Sequence, residues 1–299
     1  IRDSVASRGL GDVYKRQVMG YLFAVTLLWA FSFSLIGVYL AGQVDAWFSV
    51  LIRVALAALV FLPFLKKIPT PLACKLMLIG ALQLGVMYGF YYHSFLFLSV
   101  PEVLLFTVMT PLYITLLNDA LNKQFNPQFF IVAFIAVLGA ITIRYENLDS
   151  NFLVGLLLVQ GANICFAIGQ VTYKRLMLNK QLDDKTVFGW FFIGALIVAS
   201  ACYALFGDLN KLPSTSTQWG ILIYLGIVAS GLGYFMWNKG ATLVNVGALA
   251  VMNNLLIPAG IIVNVLIWNR DADLLRLSIG AGVMLVALVV NQIMTKSAN

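Results

Sequence analysis

Charged side chains are scarce in this 299-residue sequence, and their scarcity excludes an ordinary water-soluble protein. Asp, Glu, Lys and Arg together make up 10% of the residues, whereas apolar types make up 61%. Water-soluble domains have roughly 25% charged and about 45–50% apolar residues. A helix that crosses a membrane needs about 20 mostly apolar residues, because the hydrocarbon layer is roughly 30 Å thick. The composition therefore predicts an all-α integral membrane protein that is embedded in a lipid bilayer.

Residues that commonly bind metals or perform catalysis are also few. One histidine occurs, His93, and the spacing of Cys74, Cys165 and Cys202 fits neither a disulfide framework nor a zinc site. The sequence has no G-x-x-x-x-G-K-[ST] motif for ATP, no regular row of arginines for voltage sensing and no cluster of carboxylates. We therefore predict a carrier without metal, cofactor or enzymatic activity. A membrane-embedded enzyme or a structural subunit is the remote alternative.

The first seventeen residues differ from the rest of the chain. They hold four of the nineteen basic and two of the twelve acidic residues, and they show no apolar periodicity. We interpret residues 1–17 as a non-native tail and Met19 as the natural start. Without the tail the formal net charge falls from +7 to +5, and the remaining charges lie mostly between apolar runs. The basic balance thus predicts no nucleic-acid partner.

Apolar runs separated by charges, prolines and Asn or Asp clusters predict about ten transmembrane helices. Strands are excluded because an open sheet edge cannot face lipid. The predicted spans are 19–40, 46–65, 74–94, 101–118, 127–144, 152–172, 187–206, 218–237, 245–267 and 275–294.

The basic residues between the spans are distributed unevenly, which predicts the orientation. Ten follow the even-numbered spans and four follow the odd-numbered spans. Loops rich in Lys and Arg stay in the cytoplasm. Both termini are therefore predicted to lie in the cytoplasm of a bacterial cell, with the protein in the inner membrane. The sequence leaves open whether it is a monomer or a homodimer.

The chain shows an internal repeat. Gly89-Phe90-Tyr91-Tyr92 in the third span is similar to Gly233-Tyr234-Phe235-Met236 in the eighth. Trp29-Ala30 in the first span corresponds to Phe166-Ala167 in the sixth, and Pro111 in the fourth corresponds to Pro258 in the ninth. Five spans per half imply that residues 18–145 and 146–299 are two inverted five-helix repeats. Carriers of this plan bind substrate near the midplane, between the halves.

Ionisable residues inside a membrane are costly, and they often mark function. Arg53 in the second span either binds an anionic group or braces the bundle. Glu102 at the start of the fourth span either couples transport to protons or stabilises the helix N-terminus through its charge. His93 either titrates together with Glu102 or is an ordinary interfacial residue.

Polar and aromatic residues at membrane depth are candidates for substrate binding. Asn253 and Asn254 lie one turn before Pro258, which we expect to break the ninth helix as Pro111 breaks the fourth. Asn163 and Gln170 are seven residues apart and so share one face of the sixth helix. The other candidates are Trp29, Ser32, Tyr88, Thr107, Thr110 and Tyr234. Interhelical hydrogen bonds and interfacial aromatic belts are the structural alternatives.

Six stretches of the sequence resemble a known family. They are WAFSFS at 29–34, VALAALVFLPFL at 54–65, LLFTVMTPLYITL at 104–116, GLLLVQ at 155–160, GLGYFMWN at 231–238 and MNNLLIPAG at 252–260. Together with the paired prolines they are similar to EamA-type members of the drug/metabolite transporter superfamily. The likeness is greatest to its enterobacterial biotin carriers, and it implies biotin uptake. An exporter of amino acids or related metabolites on the same fold is the alternative.

Overall fold

The fold is described by a computed structural model. It describes residues 20–123, 150–177, 183–243 and 246–268, together with isolated positions between 135 and 138 and between 275 and 289. Seven helices in this part of the chain are long and apolar enough to cross a membrane, and an eighth contains the apolar segment Leu255–Trp268. The predicted all-α membrane fold is confirmed.

The helices follow the predicted spans closely. Of the ten predicted spans, 127–144 and 275–294 lie outside the described residues, apart from isolated positions. We number the described helices in chain order: α1 Gly20–Leu40, α2 Ala46–Phe64, α3 Thr70–Ser94, α4 Val100–Leu121, α5 Ser150–Met177, α6 Asp184–Phe206, α7 Ser216–Leu243 and α8 Val246–Trp268.

Side-chain caps explain several of the helix starts. Asp45 accepts a hydrogen bond from the backbone nitrogen of Phe48, at 2.7 Å, where α2 begins. At the start of α4, the Glu102 carboxylate accepts from the backbone nitrogen of Ser99 at 2.8 Å and from its hydroxyl at 2.7 Å. Thr215 and Gln218 form a similar capping box before α7. These contacts satisfy backbone N–H groups that have no partner within the helix.

Three of the described helices contain wider, π-helical turns, and one of these segments, Ile36–Leu40, forms the end of α1. The segment Ala81–Val86 lies inside α3, and Tyr224–Leu232 lies inside α7. The helices α3 and α7 are the third helices of the two predicted repeats, so an internal π-helical segment occurs in the corresponding helix of each half. π-Helical turns are uncommon and are frequently found at functional sites.

The two prolines expected to break helices behave differently. The helix α4 tightens into a 3₁₀ turn at Thr107–Met109, and a new α-helical stretch starts at Thr110 with Pro111 in its first turn. Proline is tolerated there because its missing N–H needs no partner. In contrast, α8 continues past Pro258 to Trp268, so the expected break is wrong at this position. Neighbouring groups in a membrane bundle can satisfy the backbone that a proline disturbs.

Helices of the two halves pack closely against each other. The third helix of each half packs on the second helix of the other, since α3 contacts α6 and α7 contacts α2. A Cβ atom added to Gly80 of α3 would collide with the backbone of Phe191, and one added to Gly194 of α6 would collide with the backbone of Met77. Glycines at these positions let the backbones touch, which is how membrane helices commonly associate.

Candidate substrate-binding site

A cavity of about 90 Å³ lies between the two halves. This volume holds several water molecules, since one water molecule needs roughly 10–15 Å³. Seven of the eight described helices contribute to its walls, and α6 does not. The lining residues are Trp29, Ser32, Phe33, Arg53, Met87, Tyr88, Tyr91, Thr107, Thr110, Ala162, Asn163, Phe166, Tyr234, Asn253 and Leu256.

Nine of the eleven residues predicted to bind substrate line this cavity. They are Trp29, Ser32, Arg53, Tyr88, Thr107, Thr110, Asn163, Tyr234 and Asn253. Their role in binding stays a prediction, because the structure shows only that these residues line the same cavity. The side chain of Asn254 lies outside the described residues.

Gln170 is not part of the lining. Its Oε1 accepts a hydrogen bond from the indole nitrogen of Trp237 at 3.2 Å, and both side chains are buried. Seven residues keep Gln170 on the same helix face as Asn163, but they also move it about 10 Å along the axis. The Gln170 amide therefore joins α5 to α7 and has a structural role.

The most unusual group in the cavity wall is the guanidinium of Arg53. Its Nε donates to the Ser230 hydroxyl at 2.5 Å, and its Nη1 donates to the Tyr92 hydroxyl at 3.4 Å. The guanidinium carbon lies 4.2 Å from the centre of the Tyr88 ring, which is a cation–π distance. Arg53 is therefore held by three neighbouring side chains while it faces the cavity.

Arg53 has no acidic partner in the described part of the chain. The residue is 2% exposed. The salt bridges found among the described residues join Lys66 to Asp183 and Lys239 to Asp184, and neither includes Arg53. A buried charge without a counter-ion is costly. The arrangement is accordingly suited to an anion that enters the cavity.

Two asparagines provide complementary hydrogen-bonding atoms. The Asn163 nitrogen donates to the Phe106 carbonyl oxygen at 2.9 Å and to Gln160 Oε1 at 3.2 Å, which leaves its Oδ1 as an acceptor. The Asn253 nitrogen is buried and has no hydrogen-bond partner among the described residues. Buried polar groups are normally paired, so an unpaired donor in a cavity wall needs an explanation. The pair offers one acceptor and one donor to a ligand.

Aromatic rings form the apolar part of the wall. The Trp29 ring lies 5.0 Å from the Tyr234 ring and 6.3 Å from the Phe166 ring, measured between centres. The Tyr88 and Tyr234 rings are 6.0 Å apart. Sequence reasoning missed six lining residues. Five of them are Phe33, Met87, Ala162, Phe166 and Leu256, and an apolar residue in an apolar helix carries no signal of its own. The sixth is Tyr91, one turn after Tyr88 on α3.

The proposed proton-coupling residues do not line the cavity. The Nδ1 atom of His93 is 2.7 Å from the Gly89 carbonyl oxygen, and its ring lies 4.8 Å from the Trp47 ring. Glu102 caps the start of α4 through Ser99. These contacts match the structural alternatives for both residues. A role in proton coupling stays a prediction.

A largely apolar cavity with a few polar groups, lined by helices from both halves of a membrane protein, is the arrangement of a secondary carrier with inverted repeats. The model of the EamA-like transporter family matches residues 17–145 and 153–292, and the chain belongs to this family.

Curated relatives match the chain over nearly its whole length. A probable biotin transporter of Pseudomonas aeruginosa is 52% identical over 279 residues, which cover 92% of this chain and 98% of the relative. The biotin transporter of Salmonella typhimurium is 51% identical and that of Escherichia coli K12 is 50% identical, with 92% of this chain and 93% of each relative covered. A solved crystal structure at 15% identity superposes with a TM-score of 0.65, covers 96% of this chain and 99% of its own, and shows the fold alone.

Proposed function

We propose that this protein imports biotin across the bacterial cytoplasmic membrane. The observation that carries the proposal is a buried arginine in the cavity wall without a carboxylate partner in the described chain. Biotin is an acid with an apolar chain and a ureido ring. The names of relatives about half identical to this chain support the same substrate.

The cavity offers a partner to each part of biotin. The carboxylate is bound by Arg53, whose planar fork suits two parallel hydrogen bonds. The ureido oxygen accepts from the unpaired nitrogen of Asn253, and a ureido N–H donates to Oδ1 of Asn163. Trp29 and Tyr88 cover the fused rings. In this arrangement the carboxylate, the ureido oxygen and one ureido N–H each gain a partner, which offsets the cost of removing these groups from water.

Export of amino acids is less well supported by the same cavity. An amino acid carries an ammonium group beside its carboxylate. None of the described lining residues is acidic. A buried ammonium would therefore have no counter-ion, which is costly.

The orientation and mode of action belong to the same proposal. Both termini lie in the cytoplasm, because the loops that follow even-numbered spans carry most of the basic residues. The protein has no enzymatic activity and acts by moving its halves around a fixed site. The cavity is formed within one chain, so one copy suffices for transport.

Growth of a biotin-requiring strain that lacks its own transporter tests the proposal. With this gene the strain is expected to grow at limiting biotin and to take up labelled biotin in a saturable way. Failure of both, with the protein present in the membrane, would contradict biotin import. A protonophore added to the uptake assay separates proton-coupled transport from facilitated diffusion.

A further inference from the structure

A fully buried serine joins two side chains of the cavity wall without lining the cavity itself. The Ser230 hydroxyl accepts from Arg53 Nε at 2.5 Å and shares a hydrogen bond with the Tyr88 hydroxyl at 2.8 Å. Tyr88 is also the ring against which the guanidinium lies. One hydroxyl therefore fixes the cation relative to its aromatic neighbour.

Ser230 lies in the π-helical segment Tyr224–Leu232 of α7. The preceding residue, Ala229, also forms a hydrogen bond with a side chain of the cavity wall. The Ala229 carbonyl oxygen accepts a hydrogen bond from the Trp29 indole nitrogen at 2.8 Å. π-Helical turns depart from the regular hydrogen-bond pattern of the α-helix, so a carbonyl there is available to a side-chain donor. Two consecutive residues of this segment thus hold cavity side chains from α1, α2 and α3.

A glycine allows the segment to reach α2. A Cβ atom at Gly226 would lie 2.7 Å from the Cβ of Leu56 and 3.1 Å from the carbonyl oxygen of Arg53. Any larger residue would force the two helices apart. The close crossing brings Ser230 within hydrogen-bond distance of the guanidinium.

Hydrogen bonds to the protein use some N–H groups of the Arg53 guanidinium and leave the others available to a ligand. Ser230 occupies Nε, and Tyr92 occupies one N–H of Nη1. The remaining N–H groups belong to the two Nη atoms, which is the edge that binds a carboxylate with two hydrogen bonds. We propose that Ser230 is a positioning residue that aims this edge of Arg53 at the substrate carboxylate. The inference rests on the proposed function, because that carboxylate is taken to be the one of biotin.

Competition by a charged and a neutral ligand tests this role. Uptake of labelled biotin is measured with unlabelled biotin and with biotin carboxamide, which lacks the negative charge, as competitors. S230A is expected to raise the inhibition constant of biotin by about tenfold, the effect of losing one hydrogen bond to a charged group. The inhibition constant of the carboxamide is expected to change less than about twofold, because a neutral amide cannot form the charge-assisted, two-bond pair that requires a fixed guanidinium.

Ser49 of α2 provides the matched control. It is also fully buried, and its hydroxyl has no hydrogen-bond partner among the described residues. S49A is expected to leave both constants and their ratio unchanged. A purely structural role of Ser230 would instead weaken both competitors equally, and that result would overturn the inference.

Two further outcomes keep the test decisive. If S230A does not accumulate in the membrane, S230C is measured in the same way, because a thiol fills the space of the hydroxyl but is a weak hydrogen-bonding group. An unchanged ratio of the two constants in S230C overturns the role of Ser230 while biotin import stands. A wild-type protein that takes up no biotin overturns the proposed function, and this inference with it.

Discussion

Arg53 is the residue whose environment differs most from the rest of the bundle. It is buried and held by a serine and two tyrosines, and no carboxylate of the described chain balances its charge. Such a group lowers the stability of the empty protein and becomes favourable only when an anion is bound. Stability and binding are thus expected to respond in opposite directions when the charge is removed.

R53Q is expected to raise the half-saturating concentration of biotin by about a hundredfold, because loss of one member of a buried charge pair costs about 2–5 kcal/mol. The empty variant is expected to unfold at an unchanged or higher temperature. Uptake kinetics and thermal unfolding in detergent measure the two effects. K67Q removes the same charge from an exposed loop residue and serves as the control. Normal half-saturation in R53Q would refute the assignment of Arg53 to the carboxylate.

Asn253 allows a second test at the same scale. Its buried nitrogen has no partner among the described residues, so N253L is expected to keep or slightly raise the stability of the empty protein. The half-saturating concentration of biotin is expected to rise about tenfold, the effect of one lost hydrogen bond to the ureido group. Uptake kinetics and thermal unfolding measure the two effects.

Asn264 on the same helix is the matched control for Asn253. It donates to the Ser34 hydroxyl at 3.2 Å and does not line the cavity. N264L is therefore expected to lower stability without changing half-saturation. If N253L and N264L had the same effect on uptake, Asn253 would have no special role in binding.

At the scale of single elements, α7 is the helix that organises the site. Its π-helical segment holds Trp29 and Arg53 through Ala229 and Ser230, while its glycines set its distance from α2. The corresponding segment of α3, Ala81–Val86, directly precedes Met87 and Tyr88 of the cavity wall. Each half therefore places an irregular helical segment next to the cavity.

G226A tests the crossing of α7 and α2. The added methyl group would meet Leu56 and the Arg53 carbonyl, so we expect a loss of about 1–3 kcal/mol of stability and a reduced uptake rate. Gly220 on the same helix has no atom within 4 Å of an added Cβ, which makes G220A the control. It is expected to be neutral or more stable by up to about 1 kcal/mol, because alanine favours the helix. Equal melting temperatures for both variants would argue against a tight crossing.

At the scale of the whole molecule, polar contacts join the helix ends on the side predicted to be cytoplasmic. Lys239 of α7 pairs with Asp184 of α6 at 2.8 Å. Arg175 at the end of α5 donates to the side chains of Asn118 and Asn122, at 3.0 Å and 2.6 Å. Exposed pairs of this kind contribute about 0–1 kcal/mol each. They are weak enough to open during transport.

The proposed orientation is testable with a pair of matched substitutions. In a variant without the three native cysteines, K211C is expected to react with a membrane-impermeant maleimide in intact cells, because Lys211 is an exposed residue between α6 and α7. K67C, in the loop between α2 and α3, is expected to react only after the membrane is opened. The reverse pattern of labelling would place the termini outside the cell.

Much of this fold is predictable from the sequence because its signals are local. Apolar runs set the positions of the eight described helices, and the rarity of polar residues inside them singled out nine residues that meet at the cavity. The cost of burying a polar or charged group in hydrocarbon connects the two observations.

Tertiary structure alone decided which partner each polar residue has. Periodicity places Gln170 on the face of Asn163, but only packing brings it to Trp237 instead of the cavity. Ser230 has no sequence feature that distinguishes it from other serines, and its contact with Arg53 exists because Gly226 lets α7 touch α2. Sequence by itself determined which segments enter the membrane and which residues are costly there. The helix crossings, set by contacts between residues far apart in the chain, decided which of them form a site.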